Sequence, residues 1–308
     1  MLKKILYPLI YGCFLTVFTV YVLLNTFVIE QVYEPITPLP AVTSEETKAD
    51  PLSPEQPNTE DKEKPIITEN SYKDSNIEIT LTRYREFDSD LYVAEIKLSS
   101  PEYLKTAMAR NTFGRNIADE TSFIAKENNA IFAVNGDFYG ALENGYVLRN
   151  GVLYRDSAVE KQEDLVIYKD GSFDIIVETE VEAMELYNNG AQQILSFGPA
   201  IIIDCESADS SNITRGSVKK PNPRTAIGII DELHYIFVVC DGRTEKSRGV
   251  TVKEMAEFML DFGTVTAYNL DGGGSATMYF NGEIINTPTH NGEDIEERNV
   301  SDIVYIGY

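Results

Sequence analysis

Residues 226–239, AIGIIDELHYIFVV, contain two runs of β-branched and aromatic residues on either side of the turn pair Asp231-Glu232. Such residues suit a half-buried pleated surface, and a polar turn between two such runs is typical of an antiparallel hairpin. A second hairpin is predicted at Asn150-Gly151, because this pair readily takes the left-handed conformations of a two-residue turn. Further strand-like runs lie at 77–81, 91–98, 130–134, 165–168 and 173–177.

Two helices are predicted among these strands. One covers residues 116–128, and the other begins at Thr251, which forms a capping-box pattern with Glu254, and ends at Gly263. Helices and strands do not alternate regularly, and no internal repeat is present. The sequence therefore predicts an α+β fold with mixed, mostly antiparallel β-sheets, a few packed helices and one globular domain.

The amino-terminal segment predicts a membrane anchor within residues 1–30. Residues 5–29 carry no charge, and as a helix they exceed the ~30 Å hydrocarbon thickness of a bilayer. Lys3 and Lys4 precede the span, whereas the next basic residue is Lys48, so we expect the amino terminus in the cytoplasm and the rest of the chain outside, as in a single-pass cell-membrane protein. A cleaved signal peptide is the alternative.

Residues 31–70 hold seven of the thirteen prolines and an excess of acidic residues, with few apolar ones. Such a segment buries too little surface to offset its ordering entropy, so we expect a disordered stalk there and a folded domain at 71–308. The net charge of −23 argues against nucleic acid as a partner. Cys13 lies in the span, and Cys205 and Cys240 are predicted either to pair or to be ordinary thiols.

Three strand-like runs end in clusters of polar residues, which is the usual place for a site carried by a rigid sheet. These clusters hold Asn135 and Asp137, then Asp241 and Arg243, then Asn269 and Asp271 followed by Gly272, Gly273, Gly274 and Ser275. An Asp-Gly or Asn-Gly pair alone is commonly a simple turn. Three consecutive glycines favour a loop whose N–H groups contact an anion, although no GKS or GKT follows to make it a nucleotide-binding loop.

Arginines form a second set of candidates, because a guanidinium binds phosphate through two hydrogen bonds. Arg224, Arg243 and Arg298 all flank strands, and each could alternatively be solvated or paired with a carboxylate. His234 and His290 are isolated and show no ligand spacing, so we expect neither a metal site nor a cofactor.

These residues also carry a resemblance to the phosphodiester glycosidase family. It rests on NGDFYG at 135–140, the hairpin with Arg149-Asn150-Gly151, SFGPAIIID at 196–204, NPRTAIGI at 222–229, VVCDGR at 238–243, NLDGGGSATMYFNGEIINTP at 269–288 and ERNVSDIVYIGY at 297–308. The similarity spans about residues 100–308 in the family's order and excludes the anchor and the stalk.

The resemblance implies a hydrolase that removes a sugar similar to N-acetylglucosamine from a sugar-1-phosphodiester and leaves a phosphomonoester. The candidate catalytic carboxylates are then Asp137, Asp241 and Asp271, because an oxocarbenium-like transition state needs a carboxylate near the anomeric carbon. Arg224, Arg243, Arg298 and the glycine N–H groups are the phosphate candidates, and Asn135, Asn269 and Ser275 are candidates for sugar hydroxyls. With the expected anchor, the substrate would be a glycosyl phosphodiester in a cell-wall polymer or an exopolysaccharide. A non-catalytic surface module that binds phosphorylated glycans, or a phosphodiesterase that cuts the P–O bond, are the alternatives.

Overall fold

The computed structural model describes residues 2–39, 64–208 and 219–308. Its helices are α1 (Leu2–Phe27), α2 (Thr121–Glu127), α3 (Ala183–Asn188) and α4 (Val252–Leu260). Its strands are β1 (Gln31–Val32), β2 (Ile66–Ile67), β3 (Ser71–Lys73), β4 (Ile77–Glu86), β5 (Ser89–Leu98), β6 (Leu104–Met108), β7 (Gly114–Arg115), β8 (Phe132–Asn135), β9 (Val147–Arg149), β10 (Val152–Arg155), β11 (Glu163–Tyr168), β12 (Phe173–Val177), β13 (Ala191–Leu195), β14 (Ala200–Ile203), β15 (Glu206–Ser207), β16 (Arg224–Asp231), β17 (His234–Cys240), β18 (Thr266–Asn269), β19 (Met278–Phe280), β20 (Glu283–Ile284) and β21 (Asp302–Ile306).

Three sheets and one short pair contain these strands. The first sheet has the order β15-β14-β18-β16-β17-β5-β4-β3-β2, the second β20-β19-β8-β21-β6 and the third β10-β9-β13-β11-β12, while β1 pairs with β7. The pairings within the described residues are antiparallel. The predicted α+β class with mostly antiparallel sheets is confirmed.

The strand β17 shows why a continuous apolar run forms the middle of the first sheet. Tyr235, Phe237 and Val239 face the core shared with the other two sheets. The alternate residues Ile236 and Val238 face the second core, under α4. Because successive side chains of a strand point to opposite faces, a strand that is buried on both faces must be apolar throughout. The sheet is therefore an inner layer of the domain.

The hairpin turn and the helix cap that the sequence predicts are both present in the structure. Asn150 and Gly151 both have positive φ, 48° and 73°, in the turn between β9 and β10. Thr251 and Glu254 form both hydrogen bonds of the capping box at the start of α4.

Other expectations differ from the structure. The helix expected at 116–128 begins only at Thr121, because Asn116 has φ 60° and Asp119 bridges to Val300 instead. Of the two alternatives for the cysteines, the structure has free thiols, with Cys240 buried and Cys205 exposed. Residues 40–63, the middle of the expected stalk, lie outside the described residues. The two described ends of that segment are paired with the rest of the chain through β1 and β2.

Candidate active site

The candidate residues gather at one end of the first two sheets. The strands β8, β17 and β18 end there, at Asn135, Cys240 and Asn269, while β16 and β21 begin there. Antiparallel pairing brings the end of one strand next to the start of its neighbour, as for Arg224 beside Cys240. We call this end of the domain the site end.

Asp271 and Arg298 form the central ion pair of the site end. Arg298 Nη2 lies 2.7 Å from Asp271 Oδ2, and Arg298 Nε donates to Ser275 Oγ at 2.8 Å. The Ser275 hydroxyl in turn donates to Asp271 Oδ2 at 2.7 Å. The structure thus brings together three predicted residues, from two loops, around one carboxylate oxygen.

Asp271 is strongly shielded from water, whereas its partner is partly open. The Asp271 side chain is 10% exposed and that of Arg298 is 33% exposed. Burial raises the pKa of Asp271, against the opposing effects of Arg298, Ser275 and the Gly272 N–H. The adjacent guanidinium, the Ser275 hydroxyl and the Gly272 N–H each favour the ionised form of this carboxyl group.

The three glycines allow close approach of neighbouring groups. A Cβ on Gly272 would lie 2.6 Å from the Pro223 carbonyl oxygen, one on Gly273 2.7 Å from Arg243 Nη2, and one on Gly274 2.7 Å from His290 Nδ1. Gly273 also has φ 64°, in the left-handed region.

Most N–H groups of this loop already have acceptors inside the chain. The Gly272 N–H donates to Asp271 Oδ1, the Gly273 N–H to Pro223 O and the Ser275 N–H to Gly272 O. The expected row of N–H groups that point at an anion is therefore not what the loop presents. Its glycines bring the Arg243 and His290 side chains against the backbone instead.

Arg243 is an exposed cation of the site end. Its guanidinium donates to the His290 carbonyl at 2.9 Å and to Asn222 Oδ1 at 3.4 Å. It lines a cavity of about 820 Å³ that Asp241, Thr287 and Lys246 also line. Arg243 therefore brings a positive charge to a cavity that the carboxylates of Asp90, Asp241, Glu245 and Glu293 also line.

Asp241 lines the same cavity and is held by three donors. Its Oδ1 accepts from Asn286 Nδ2 at 3.0 Å and from the Thr287 N–H at 2.9 Å, and its Oδ2 accepts from the Tyr92 hydroxyl at 3.3 Å. Burial raises the pKa of Asp241, and these donors oppose that rise. Tyr92, Asn286 and Thr287 were not predicted as site residues, although Asn286 and Thr287 lie in the segment 269–288 that carries the family resemblance.

Three other predicted residues form hydrogen bonds to backbone groups of neighbouring segments. Asn135 is fully buried, donates to the Asp271 carbonyl at 2.6 Å and accepts from Thr225 Oγ1 at 2.7 Å. Asn269 donates to the Gly198 carbonyl at 2.9 Å. Arg224 is buried and donates to the carbonyl of Val250 at 2.7 Å and to that of Lys220 at 3.0 Å.

Asp137 lies in a separate buried cluster. Arg149 Nη2 is 2.7 Å from Asp137 Oδ2 and 2.8 Å from Asp302 Oδ2, and the three side chains are at most 2% exposed. Asp137 also accepts from the N–H groups of Ser196 and Tyr139. Removal of one of these side chains would leave its buried partners unpaired, so the cluster stabilises the fold around the site only when all three are present. Arg149 and Asp302 were not predicted as site residues, although both lie in segments that carry the family resemblance.

Among the described residues, no group of three or more His, Cys, Asp or Glu side chains is arranged to hold a metal ion. His290 contacts the glycine loop, and His234 lies near Glu95 on the first sheet.

Known relatives share parts of this chain. It is 30% identical over 203 residues to the SPbeta prophage-derived uncharacterized protein YomE of Bacillus subtilis (strain 168), a match that covers 64% of this chain and 31% of that protein. It is 30% identical over 176 residues to N-acetylglucosamine-1-phosphodiester α-N-acetylglucosaminidase of Mus musculus, which covers 53% of this chain and 34% of the mouse protein. The chain thus spans about a third of the length of these two relatives.

Two solved structures have a similar fold. The zebrafish N-acetylglucosamine-1-phosphodiester α-N-acetylglucosaminidase catalytic domain, auto-inhibited by its pro-peptide, superposes with a TM-score of 0.60 at 20% identity, over 75% of this chain and 83% of that one. A hypothetical protein from Synechocystis gives 0.55 at 13% identity, over 76% and 62%.

The family model for phosphodiester glycosidases matches residues 128–307, which is more than half of the chain and includes every residue of the site end described above except Tyr92. The chain therefore belongs to the phosphodiester glycosidase family.

Proposed function

We propose that this chain hydrolyses the bond between the anomeric carbon of a sugar and the phosphate oxygen of a sugar-1-phosphodiester. The sugar leaves with the hydroxyl of the attacking water, and the phosphate leaves as a phosphomonoester on the other partner. We further propose that the sugar is similar to N-acetylglucosamine, because relatives that carry this activity in their names match the chain.

The observation that carries the proposal is the pairing of Asp271 with Arg298 and Ser275, close to the exposed Arg243. An oxocarbenium-like transition state gains positive charge at the anomeric carbon, and a buried carboxylate stabilises that charge more strongly than one in water does. We assign Asp271 to this role. Ser275 and Arg298 fix the orientation of its carboxylate.

The departing phosphate needs cations rather than a strong acid, since it leaves as a stable anion. Arg243 is exposed, lines the cavity and lies over Gly273, and the Arg298 side chain is partly open. We assign both arginines to the phosphate. Asp241, in the wall of the same cavity, is the second carboxylate and the candidate that activates water. Four buried residues stabilise the segments that carry these groups: Asp137, Asn135, Asn269 and Arg224.

We also propose that the enzyme is held at the cell membrane by α1, with its amino terminus in the cytoplasm and its domain outside. Residues Leu9–Phe27 form an apolar helix in which no residue is buried by the rest of the described chain. Lys3 and Lys4 stand on the side expected to stay in the cytoplasm. The substrate would then belong to a polymer of the cell surface.

Hydrolysis in water labelled with ¹⁸O tests the bond that is cut. The full chain in detergent micelles is incubated with the methyl phosphodiester of N-acetylglucosamine-1-phosphate, and both products are analysed by mass spectrometry. We expect free sugar that carries the label and unlabelled methyl phosphate. A label in the phosphate, or release of sugar-1-phosphate, would show P–O cleavage, and binding without turnover would show a binding module. Methyl phosphate alone in the labelled water controls for oxygen exchange.

A further inference from the structure

The helix α1 joins the folded domain without a spacer. Asn116 Nδ2 donates to the carbonyl oxygens of Thr26, at 3.2 Å, and Ile29, at 3.0 Å. The last carbonyls of a helix have no partners within the helix, so this side chain satisfies groups at the end of α1 itself. The domain is thus in contact with the last turn of the segment expected to cross the membrane.

The next residues run along the surface of the domain. We call residues 30–37 the docking segment. Glu30 forms an ion pair of 2.7 Å with Arg110, and Gln31–Val32 pairs as a strand with Gly114–Arg115. The Tyr33 N–H donates to the carbonyl of Phe113 at 3.1 Å.

The far end of the docking segment is also fixed. The Ile36 N–H donates to the carbonyl of Leu153 at 2.8 Å, and the Leu153 N–H donates to the Thr37 hydroxyl at 2.9 Å. Thr37 is 6% exposed. A Cβ on Gly114 would overlap the carbonyl oxygen of Gln31, so the glycine is needed for the two strands to meet. These contacts form a junction between residues 30–37 and the folded domain.

The junction lies at the site end of the domain. The strand β6 runs from Leu104, opposite Ile306, to Met108, opposite Asp302, and the chain continues from Met108 into the Arg110–Asn116 region. The opposite end carries the turn between β16 and β17, at Glu232. The seven residues of β17 separate the two ends by roughly 20 Å.

Apolar side chains stand beside the junction. Phe138 is 41% exposed and Leu142 is 39% exposed, on either side of the short helical turn Tyr139–Ala141. The Gly140 carbonyl in this turn accepts from the N–H of Asn116, the residue that caps α1. These two side chains therefore lie close to the point where α1 would leave the bilayer.

We infer that the folded domain rests directly on the phospholipid bilayer, with its site end towards the lipid headgroups and Phe138 and Leu142 in the interface. The net charge of −23 gives no attraction to an anionic surface, so the covalent anchor and the docking segment impose this position. This position of the domain would restrict its substrates to glycosyl phosphodiesters near the membrane surface, a consequence that rests on the proposed function.

Fluorescence quenching by lipids tests this position without any measurement of activity. The full chain, with Cys13 and Cys205 replaced by serine, is reconstituted into phosphatidylcholine vesicles that contain a lipid with a nitroxide headgroup. A fluorophore is attached through Phe138→Cys, or through Glu232→Cys as the matched control at the far end. We expect quenching at position 138 and little at position 232. Equal quenching at both positions, or at neither, would overturn the inference.

An undocked variant provides the second comparison. Gly114→Val combined with Asn116→Gly removes the strand contact and the hydrogen bonds to α1, and glycine still permits the positive φ at 116. We expect quenching at 138 to fall to the level at 232, with an unchanged circular-dichroism spectrum. Quenching that persists in a folded undocked variant would contradict the role of the docking segment. If the docked protein labelled at position 138 turns over substrate but is not quenched, the proposed function stands while the inferred position on the bilayer is refuted.

Discussion

Replacing Arg298 by alanine removes three side-chain hydrogen bonds from the site end. The lost contacts are Arg298 Nη2 to Asp271 Oδ2 at 2.7 Å and to the Gly272 carbonyl at 3.3 Å, and Arg298 Nε to Ser275 Oγ at 2.8 Å. A hydrogen bond to a charged group is worth about 1.5–3 kcal/mol. At about 1.4 kcal/mol per factor of ten, kcat/KM should fall by roughly 10- to 150-fold.

The same substitution should change the pH dependence in a defined direction. Burial raises the pKa of Asp271, and Arg298 is the first of the groups that oppose this rise. Without Arg298 the pKa of Asp271 rises further, so a higher pH is needed to ionise the carboxylate. The acidic limb of the kcat/KM profile should therefore move to higher pH.

The assay is the pH–rate profile of the full chain from acid to neutral pH. Arg248→Ala is the matched control, because Arg248 also pairs with a carboxylate, that of Glu254, away from the glycine loop. We expect the control to keep the parent profile. An Arg298→Ala enzyme that loses activity while its acidic limb stays in place would refute the coupling of Arg298 to Asp271.

Three further outcomes follow from the buried and strained residues. Burial and Asp137 raise the pKa of Asp302 to about 8, above the ~3.9 of an unfolded chain, so the folded state holds a proton that the unfolded state releases. The free energy of unfolding of the parent should therefore fall as the pH rises from about 4 to 8. Urea denaturation should show a weaker pH dependence of this free energy for Asp302→Asn. Arg149→Ala leaves the buried carboxylate of Asp137 without its guanidinium partner and should lower the free energy of unfolding by about 3–5 kcal/mol in the same assay, a cost that a change below 1 kcal/mol would rule out. Gly273→Ala should raise KM because its Cβ displaces Arg243, whereas Gly263→Ala, with φ 76° and open space around its Cβ, should cost a similar ~1–2 kcal/mol of stability without changing KM.

Features set by neighbouring residues were predictable from the sequence. The Asn150-Gly151 turn and the Thr251 cap depend on side chains within three residues, and both are present. The start of α2 was not predictable in this way, because Asp119 is drawn into a bridge with Val300, far along the chain.

In the candidate site, too, the sequence predicted which residues take part but not how they are arranged. The sequence singled out Asp271, Ser275 and Arg298, but only the fold shows that they share one carboxylate oxygen. The motif around Asp137 looks like that around Asp271, since each aspartate follows a strand and precedes a turn. Their difference comes from Arg149 and Asp302, which enclose Asp137 from other strands. The stalk expectation failed to anticipate the docking segment because strand pairing with β7 depends on a partner that composition does not reveal.

Turnover of Asp271→Asn tests the central assignment most directly. Asparagine keeps the shape of the side chain but removes the charge that the transition state needs, so we expect kcat to fall by orders of magnitude while substrate still binds. Asp294→Asn, at an exposed position of the 289–295 loop, is the matched control and should turn over like the parent. Circular dichroism of both variants should match that of the parent. A folded Asp271→Asn enzyme whose kcat stays within a factor of ~3 of the parent, a barrier change below about 1 kcal/mol, would contradict the account.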